Sequence, residues 1–168
     1  MTCKDVRQCY MQLEKDGHTA KTCKNSKCLS SYDNRKIVMV EENKKKYTLI
    51  NDGDEIAVYQ VDGGMIDSYD EIKCDYLFMA MKHKKAFFIE LKGTDLRHGL
   101  QQVYETSQKL NRTLDVFQFE GRIITSPRTN VPNMKTDPLY VKVKKAFCQR
   151  QGDLVVKANE YVDDFAKL

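Results

Sequence analysis

Residues 74–92 read Cys-Asp-Tyr-Leu-Phe-Met-Ala-Met-Lys-His-Lys-Lys-Ala-Phe-Phe-Ile-Glu-Leu-Lys. Two runs rich in aromatic and aliphatic residues, 74–81 and 85–92, are separated by a short basic turn, and this pattern predicts a β-hairpin. Alternation along the second run puts apolar side chains on both of its faces. A strand that is apolar on both faces is typical of the centre of a sheet that is covered on both sides.

The register of this hairpin decides where two acidic side chains lie. If the turn is centred between Lys82 and His83, Asp75 lies directly opposite Glu90, with the two Cβ atoms roughly 5 Å apart on one face. Two carboxylates that close repel each other, and near neutral pH one of them holds a proton unless a cation lies between them. A turn one residue longer would send the two acids to opposite faces, unless a bulge restored the phase.

The end of the second strand carries the groups that a divalent metal site needs. Mg²⁺ takes oxygen ligands, commonly one or two carboxylates, and retains waters and phosphate oxygens. The backbone carbonyl of Leu91 is a further candidate ligand beside Asp75 and Glu90. Lys92 falls on the same face as Glu90, where an ammonium can orient or deprotonate a water, or neutralise charge that develops on a phosphate.

The segment that follows, residues 93–113, predicts a helix with Asp95 as its N-cap. Gln101 and Gln102 fall on opposite flanks of its apolar stripe, so one of them can face the metal site. An amide there could hydrogen-bond a metal-bound water or a phosphate. The residues of the buried stripe are Leu96, Leu100, Val103, Tyr104 and Leu110.

An Asp, then Glu-x-Lys after a hairpin, then a helix with a glutamine, resembles the pattern of the PD-(D/E)xK nuclease superfamily. The resemblance implies a restriction-endonuclease-like core in which Asp75 and Glu90 hold Mg²⁺, or Mn²⁺ as a substitute. It also implies that Lys92 assists the attacking water. The superfamily's helical glutamine matches Gln102 best, and Gln101 is the alternative.

The resemblance covers residues 55–127 and has two departures. Cys74 stands where many members have a proline before the acid, a position that varies in the superfamily. The acidic residue that many members carry on an N-terminal helix has no single match. The candidates for it are Glu14, Glu41, Glu42 and Asp62.

The function implied by the resemblance is a metal-dependent nuclease. It would hydrolyse phosphodiester bonds, with DNA favoured over RNA and endonuclease over exonuclease, as in restriction, repair or phage defence. A chain this small could cut both strands as a homodimer, although no interface is visible. One alternative is a catalytically inactive module of the same fold that binds nucleic acid or a protein partner. Another is a structural protein in which Glu90-x-Lys92 occurs by chance and Asp75 points away.

Composition sets wider bounds on the protein. A chain of 168 residues with 41% hydrophobic residues can form one domain around one core, and its net charge of +4 is compatible with a nucleic-acid partner. No apolar run approaches the length of a membrane span and no signal-peptide pattern opens the chain. We therefore expect a cytoplasmic protein without membrane contact, whose six cysteines are not paired in disulfides.

The order of the predicted elements indicates an α/β or α+β fold with a mixed central sheet flanked by helices. A single domain is expected, with an N-terminal helix and Cys-containing extension at 1–35 and a nuclease-like core at 36–168. Besides the hairpin and the helix that follows it, the predicted elements are a helix at 1–17, strands at 36–40, 47–50, 55–61 and 122–125, a helix from 137 to 149, and a strand at 154–156.

Four cysteines lie close together in the N-terminal part, at positions 3, 9, 23 and 28. One interpretation is a small zinc site. Neither gap has the tight spacing of two intervening residues, and Cys9 falls on the apolar face of the predicted helix. Buried or incidental thiols are therefore favoured.

Basic residues are concentrated at 44–46 and along the helix that begins after Asp137. Solvated surfaces are the favoured interpretation of both, and contacts with a nucleic-acid backbone are the alternative. The basic residues of the helix and its end are Lys142, Lys144, Lys145 and Arg150.

Overall fold

In the computed structural model, the described residues are 6–17, 28–127 and 133–168, and they form a mixed α+β fold. Within these ranges the chain has three α-helices and nine strands. The helices are α1 (Val6–Asp16), α2 (Leu96–Leu110) and α3 (Pro138–Gln149), with a short 3₁₀ turn at Met134–Thr136. The strands are β1 (Leu29–Asp33), β2 (Ile37–Glu42), β3 (Lys45–Ile50), β4 (Ile56–Gln60), β5 (Tyr76–Ala80), β6 (Lys85–Leu91), β7 (Gln118–Thr125), β8 (Leu154–Ala158) and β9 (Glu160–Asp164).

The strands form a six-stranded and a three-stranded sheet. The larger sheet has the order β1-β4-β5-β6-β7-β8. Its first four strands pair antiparallel, whereas β7 pairs parallel with both β6 and β8. The smaller sheet has the order β2-β3-β9, with β9 parallel to β3. The fold is therefore the mixed-sheet α+β class that the sequence predicts.

Different elements cover the two faces of the larger sheet. The three helices pack on one face, where the core includes Ala86 and Phe88 of β6. The smaller sheet packs on the other, where the core includes Phe87, Ile89 and Leu91. Every residue of β6 after the first is buried, which confirms the prediction of a strand covered on both faces.

The register of the β5–β6 hairpin is the one predicted from the sequence. Tyr76 pairs with Ile89 and Ala80 with Lys85, so the turn is centred between positions 82 and 83. Continued by one residue beyond this pairing, the same register sets Asp75 opposite Glu90. The predicted position of the turn is confirmed, and a turn one residue longer, which would send the two acids to opposite faces, is excluded.

Helices α2 and α3 begin at aspartate caps, as predicted. The side chain of Asp95 accepts a hydrogen bond from the N–H of His98 at 3.0 Å, which satisfies one of the open donors in the first turn of α2. Asp137 caps α3 in the same way, with Pro138 in the first helical position. α2 is three residues shorter at each end than predicted, and its predicted stripe is buried except for the half-buried Tyr104. None of the described helices is long and apolar enough to cross a membrane.

The N-terminal part contributes to the core more than the sequence indicates. β1 pairs with β4 at the edge of the larger sheet, and α1 packs into the helix-side core through Val6, Tyr10 and Leu13. Cys9 and Cys28 are buried in the same core. Cys3 and Cys23 lie outside the described residues, so the zinc alternative stays a prediction.

A buried ionic network joins the two sheets and was not predicted. Arg122 of β7 donates to both carboxylate oxygens of Asp163 in β9, at 2.6 and 3.2 Å, and to Glu120 at 3.1 Å. Lys85 donates to the other oxygen of Glu120 at 2.7 Å, and the hydroxyl of Tyr47 donates to Asp163 at 2.9 Å. β7 therefore begins at residue 118, four residues earlier than predicted, because its charged first half is paired inside the core.

Candidate active site at the end of strand β6

Asp75 and Glu90 meet at the end of the hairpin and are fixed there by each other's backbone. The N–H of Asp75 donates to Glu90 Oε2 at 3.1 Å, and the N–H of Leu91 donates to Asp75 Oδ2 at 2.8 Å. Each carboxylate therefore has one oxygen held by the opposite strand. Both side chains lie on the helix-covered face, in the same alternation as Leu77 and Phe88.

Lys92 lies beside the acids and is positioned by α2. Its Nζ is 4.0 Å from Glu90 Oε1, and its side chain is 23% exposed against 2% for Glu90. The Lys92 side chain packs beside Gly99 of α2, where an added Cβ would lie 3.4–3.5 Å from it, an ordinary packing distance. The ammonium is thus more accessible to solvent than the buried Glu90 carboxylate beside it.

Leu91 offers a backbone carbonyl at the same place. In an extended strand the N–H and the C=O of one residue point the same way, and the Leu91 N–H points at Asp75. The Leu91 carbonyl therefore points toward the β5 side of β6, where Asp75 lies.

Burial dominates the electrostatics of the two acids. It raises the pKa of Glu90 to about 9, with the charge of Asp75 adding to the effect and Lys92 opposing it. Burial also raises the pKa of Asp75 to about 6, although the hydrogen bond from the Leu91 N–H works the other way. At neutral pH without a cation, Glu90 therefore holds a proton.

The donor set fits a hard cation that keeps part of its water. In the described part of the chain, no group of three or more His, Cys, Asp or Glu residues comes together as a metal site. The site instead offers two carboxylates and a carbonyl, and no described residue hydrogen-bonds Asp75 Oδ1. Mg²⁺ commonly binds one or two protein carboxylates and fills its other coordination positions with water and substrate oxygens, which matches this donor set.

Gln102, rather than Gln101, is the glutamine that faces the site. Its Nε2 donates to the carbonyl of Lys73 at 2.8 Å, which fixes the orientation of the amide. Its Oε1 is buried and has no hydrogen-bond partner among the described residues. A buried acceptor of this kind needs a donor such as an ordered water. Gln101 is exposed on the other flank of α2.

The backbone of Cys74 makes a contact that a proline at this position could not make. Its N–H donates to Thr106 Oγ1 at 2.9 Å, and the Thr106 hydroxyl donates to the Gln102 carbonyl at 2.8 Å. Proline has no N–H and could not make the first of these bonds. The cysteine therefore ties the chain that leads into Asp75 to helix α2.

The four candidates for a further acidic residue fall in different places. Glu14 pairs with Lys84 in the hairpin turn, at the opposite end of the strands from the site. Asp62 lies near the site, because its charge raises the pKa of both acids. Glu42 also raises the pKa of Asp75, and Glu41 is exposed opposite a lysine of β3.

Lys73 is a residue near the site that sequence reasoning missed. Its side chain is 9% exposed, its Nζ lies 3.3 Å from Asp62, and it donates to the Ser68 carbonyl. The ammonium of Lys73 therefore neutralises the negative charge of Asp62, which lies near Asp75 and Glu90. Its position two residues before Asp75 was the one signal available in the sequence.

Comparisons of the chain with protein-family models, curated proteins and solved structures find no match. The chemistry of this site is therefore argued from its own residues. A buried and a half-buried acid, a carbonyl, an ammonium and an unpaired amide oxygen can together bind a divalent cation and a water, and can stabilise charge on a phosphate.

Proposed function

We propose that the protein is a metal-dependent nuclease that hydrolyses phosphodiester bonds in nucleic acid, with DNA as the favoured substrate. One observation carries the proposal: the buried Glu90 and the half-buried Asp75 are held together on one face at the end of β6, with Lys92 beside them. Bringing two carboxylates together, one of them buried, with a single ammonium 4.0 Å from Glu90 is unfavourable unless a further cation joins them.

The residues of the site have separate roles in this proposal. Asp75, Glu90 and the Leu91 carbonyl would hold Mg²⁺, or Mn²⁺ in its place. When bound, the cation supplies a lower pKa for an attacking water and charge stabilisation at a phosphate oxygen. Lys92 orients or deprotonates that water, or donates to the phosphate as negative charge develops. Gln102 Oε1 accepts a hydrogen bond from a water at the site.

A non-catalytic module of the same fold is the second candidate. It is favoured by the lack of a third His, Cys, Asp or Glu in the metal site, within the residues described. It predicts nucleic-acid or protein binding that needs no divalent ion, and no turnover. The chance occurrence of Glu90-x-Lys92 predicted that Asp75 would point away from Glu90, and the hairpin register contradicts this.

The test is cleavage of closed circular DNA, linear duplex, single-stranded DNA and RNA by purified protein in Mg²⁺, Mn²⁺ or EDTA. We expect cleavage with either metal, none in EDTA, and nicking of the closed circle, which an exonuclease cannot attack. Glu90→Gln and Lys92→Met should each lower the rate roughly 10²- to 10⁴-fold with the fold retained by circular dichroism.

The matched controls are Glu41→Gln and Lys46→Met, which make the same chemical changes on β2 and β3. Glu41 is exposed, and Lys46 pairs only with the exposed Glu160 among the described residues. Both variants should cleave at the wild-type rate. Cleavage that survives both site substitutions would refute the assignment, and metal-independent binding without turnover would favour the second candidate.

A further inference from the structure

The α2–α3 groove is a polar groove between the second half of α2 and the facing side of α3, with a volume of about 340 Å³. Tyr104 and Gln108 line it from α2, and Lys142, Lys145 and Gln149 line it from α3. None of its lining residues is acidic. A concave surface with cations, amides and no carboxylate favours a ligand that carries negative charge and many acceptor oxygens.

The partners of the four basic residues on α3 and at its end separate them into two groups. Lys144 pairs with Asp153 at 2.9 Å. The guanidinium of Arg150 donates hydrogen bonds to the backbone carbonyls of residues 111, 114 and 117, at and after the end of α2. Lys142 lies over the ring of Tyr104 at 4.4 Å, and Lys145 has no partner among the described residues. Two lysines of the groove are therefore not neutralised by any described carboxylate.

Two exposed amides add donors to the same groove. Neither Gln108 nor Gln149 uses its side chain in a hydrogen bond to another described residue. Each amide offers two N–H donors to an oxygen acceptor. The groove thus combines two point charges with neutral donors, which is the mixture that proteins use on phosphate oxygens.

The groove lies on the flank of α2 that faces away from the candidate active site. Gln102 contacts the chain beside Asp75, whereas Tyr104, two residues later, points roughly 200° around the helix axis and into the groove. On the flank that carries Gln102, Lys109 is paired with Glu71, so the unpaired lysines are on the groove side of the helix. A backbone held in the groove is separated from the site by the width of one helix, roughly 10–12 Å.

We propose that the α2–α3 groove binds the phosphodiester backbone of the nucleic acid that the active site would cleave. This inference depends on the proposed function for the identity of the ligand. Lys142 and Lys145 each neutralise one phosphate, and Gln108 and Gln149 donate to phosphate oxygens. Because these contacts reach only the backbone, they hold the strand independently of base sequence.

The test measures binding of a fluorescently labelled 20-base-pair DNA by anisotropy in EDTA, between 50 and 200 mM salt. The groove variant is Lys142→Gln with Lys145→Gln. The matched control is Lys36→Gln with Lys144→Gln, which changes the net charge equally but removes an exposed lysine before β2 and the lysine already paired with Asp153. Thermal melts verify that both proteins are folded.

We expect the groove variant to bind roughly 10-fold or more weakly at 100 mM salt, and its plot of log affinity against log salt to be shallower by about two units. The control should remain within about 2-fold of the wild type. A second duplex of unrelated sequence should give the same losses.

Equal affinity and equal salt slope for the groove variant and the control would overturn the inference, as would a loss confined to one DNA sequence or no binding by the wild type. The same proteins assayed with Mg²⁺ separate this inference from the proposed function. If binding depends on the groove lysines but no DNA is cleaved, the inference about the groove is supported and the proposed nuclease function is rejected. If the groove variant binds DNA with wild-type affinity and cleaves it, the inference about the groove is rejected and the nuclease function is kept.

Discussion

β6 and β7 carry buried charges on both faces of the larger sheet, and the two clusters are built differently. On the face covered by the smaller sheet, Arg122 and Lys85 meet Asp163 and Glu120, so cations and carboxylates balance and hydrogen-bond one another. On the helix-covered face, two carboxylates of the candidate active site meet one lysine at 4.0 Å. The first cluster is complete in itself, whereas the second is short of positive charge.

The pKa shifts express this difference. Burial alone would lower the pKa of Arg122, but the hydrogen bonds and charge of Asp163 raise it above its usual value, so the residue stays charged. For Glu90, burial raises the pKa by more than the charge of Lys92 lowers it, so Glu90 takes up a proton. A balanced buried cluster holds a fold together, and an unbalanced one leaves room for a cation from solution.

The largest effect expected concerns the balanced cluster. Arg122→Met would leave Asp163 buried without its cation, and should lower the free energy of unfolding by roughly 3–5 kcal/mol in urea titrations. Lys144→Met, which breaks an exposed pair with Asp153, should cost about 0–1 kcal/mol. A loss below about 1 kcal/mol for the arginine variant would mean that the network does not stabilise the fold.

The next effect concerns Glu90 in metal-free protein. Its folded pKa lies above its unfolded value, so the folded state binds the extra proton and stability falls as pH rises from about 4.5 to about 9. The slope can reach about 1.4 kcal/mol per pH unit. Glu90→Gln should flatten this dependence and be more stable than the wild type at pH 8, measured by urea unfolding in EDTA.

Glu120→Gln is the matched control on the opposite face. Glu120 accepts hydrogen bonds from Lys85 and Arg122, so its neutralisation should lower stability rather than raise it. If both substitutions destabilise the protein equally at pH 8, the contrast between the two clusters is wrong.

Divalent cations should act on the unbalanced cluster alone. A cation that binds only the folded state raises stability by about 1.4 kcal/mol at ten times its dissociation constant. We expect Mn²⁺ to raise the melting temperature of the wild type and of Glu41→Gln at pH 8, but not that of Glu90→Gln. An equal shift in all three proteins would place the bound ion elsewhere.

The smallest effect expected is that of Gln102→Leu. The change removes the bond to the Lys73 carbonyl but also the unpaired Oε1, so stability should change by about 1 kcal/mol or less. Cleavage should fall roughly 10-fold, because a site water loses its acceptor. Gln101→Leu, on the exposed flank of α2, should leave the rate unchanged, and equal rates for the two variants would remove Gln102 from the site.

The sequence predicted what depends on local pattern. The hairpin register and the caps of α2 and α3 are set by neighbours close along the chain, and the register brings Asp75 beside Glu90. β9 and Asp163 could not be predicted, because β9 pairs with β3 across more than a hundred residues and the carboxylate is explained only by a distant arginine. β1 was missed because its edge position leaves it polar and only partly buried.

The most direct measurement is the anomalous signal of a crystal soaked in Mn²⁺. We expect one strong peak at the end of β6, about 2.0–2.2 Å from an oxygen of Asp75 and an oxygen of Glu90, with the Leu91 carbonyl among the ligands. A soaked crystal in which both acids keep only their backbone hydrogen bonds, and in which no Mn²⁺ lies between them, would contradict this expectation.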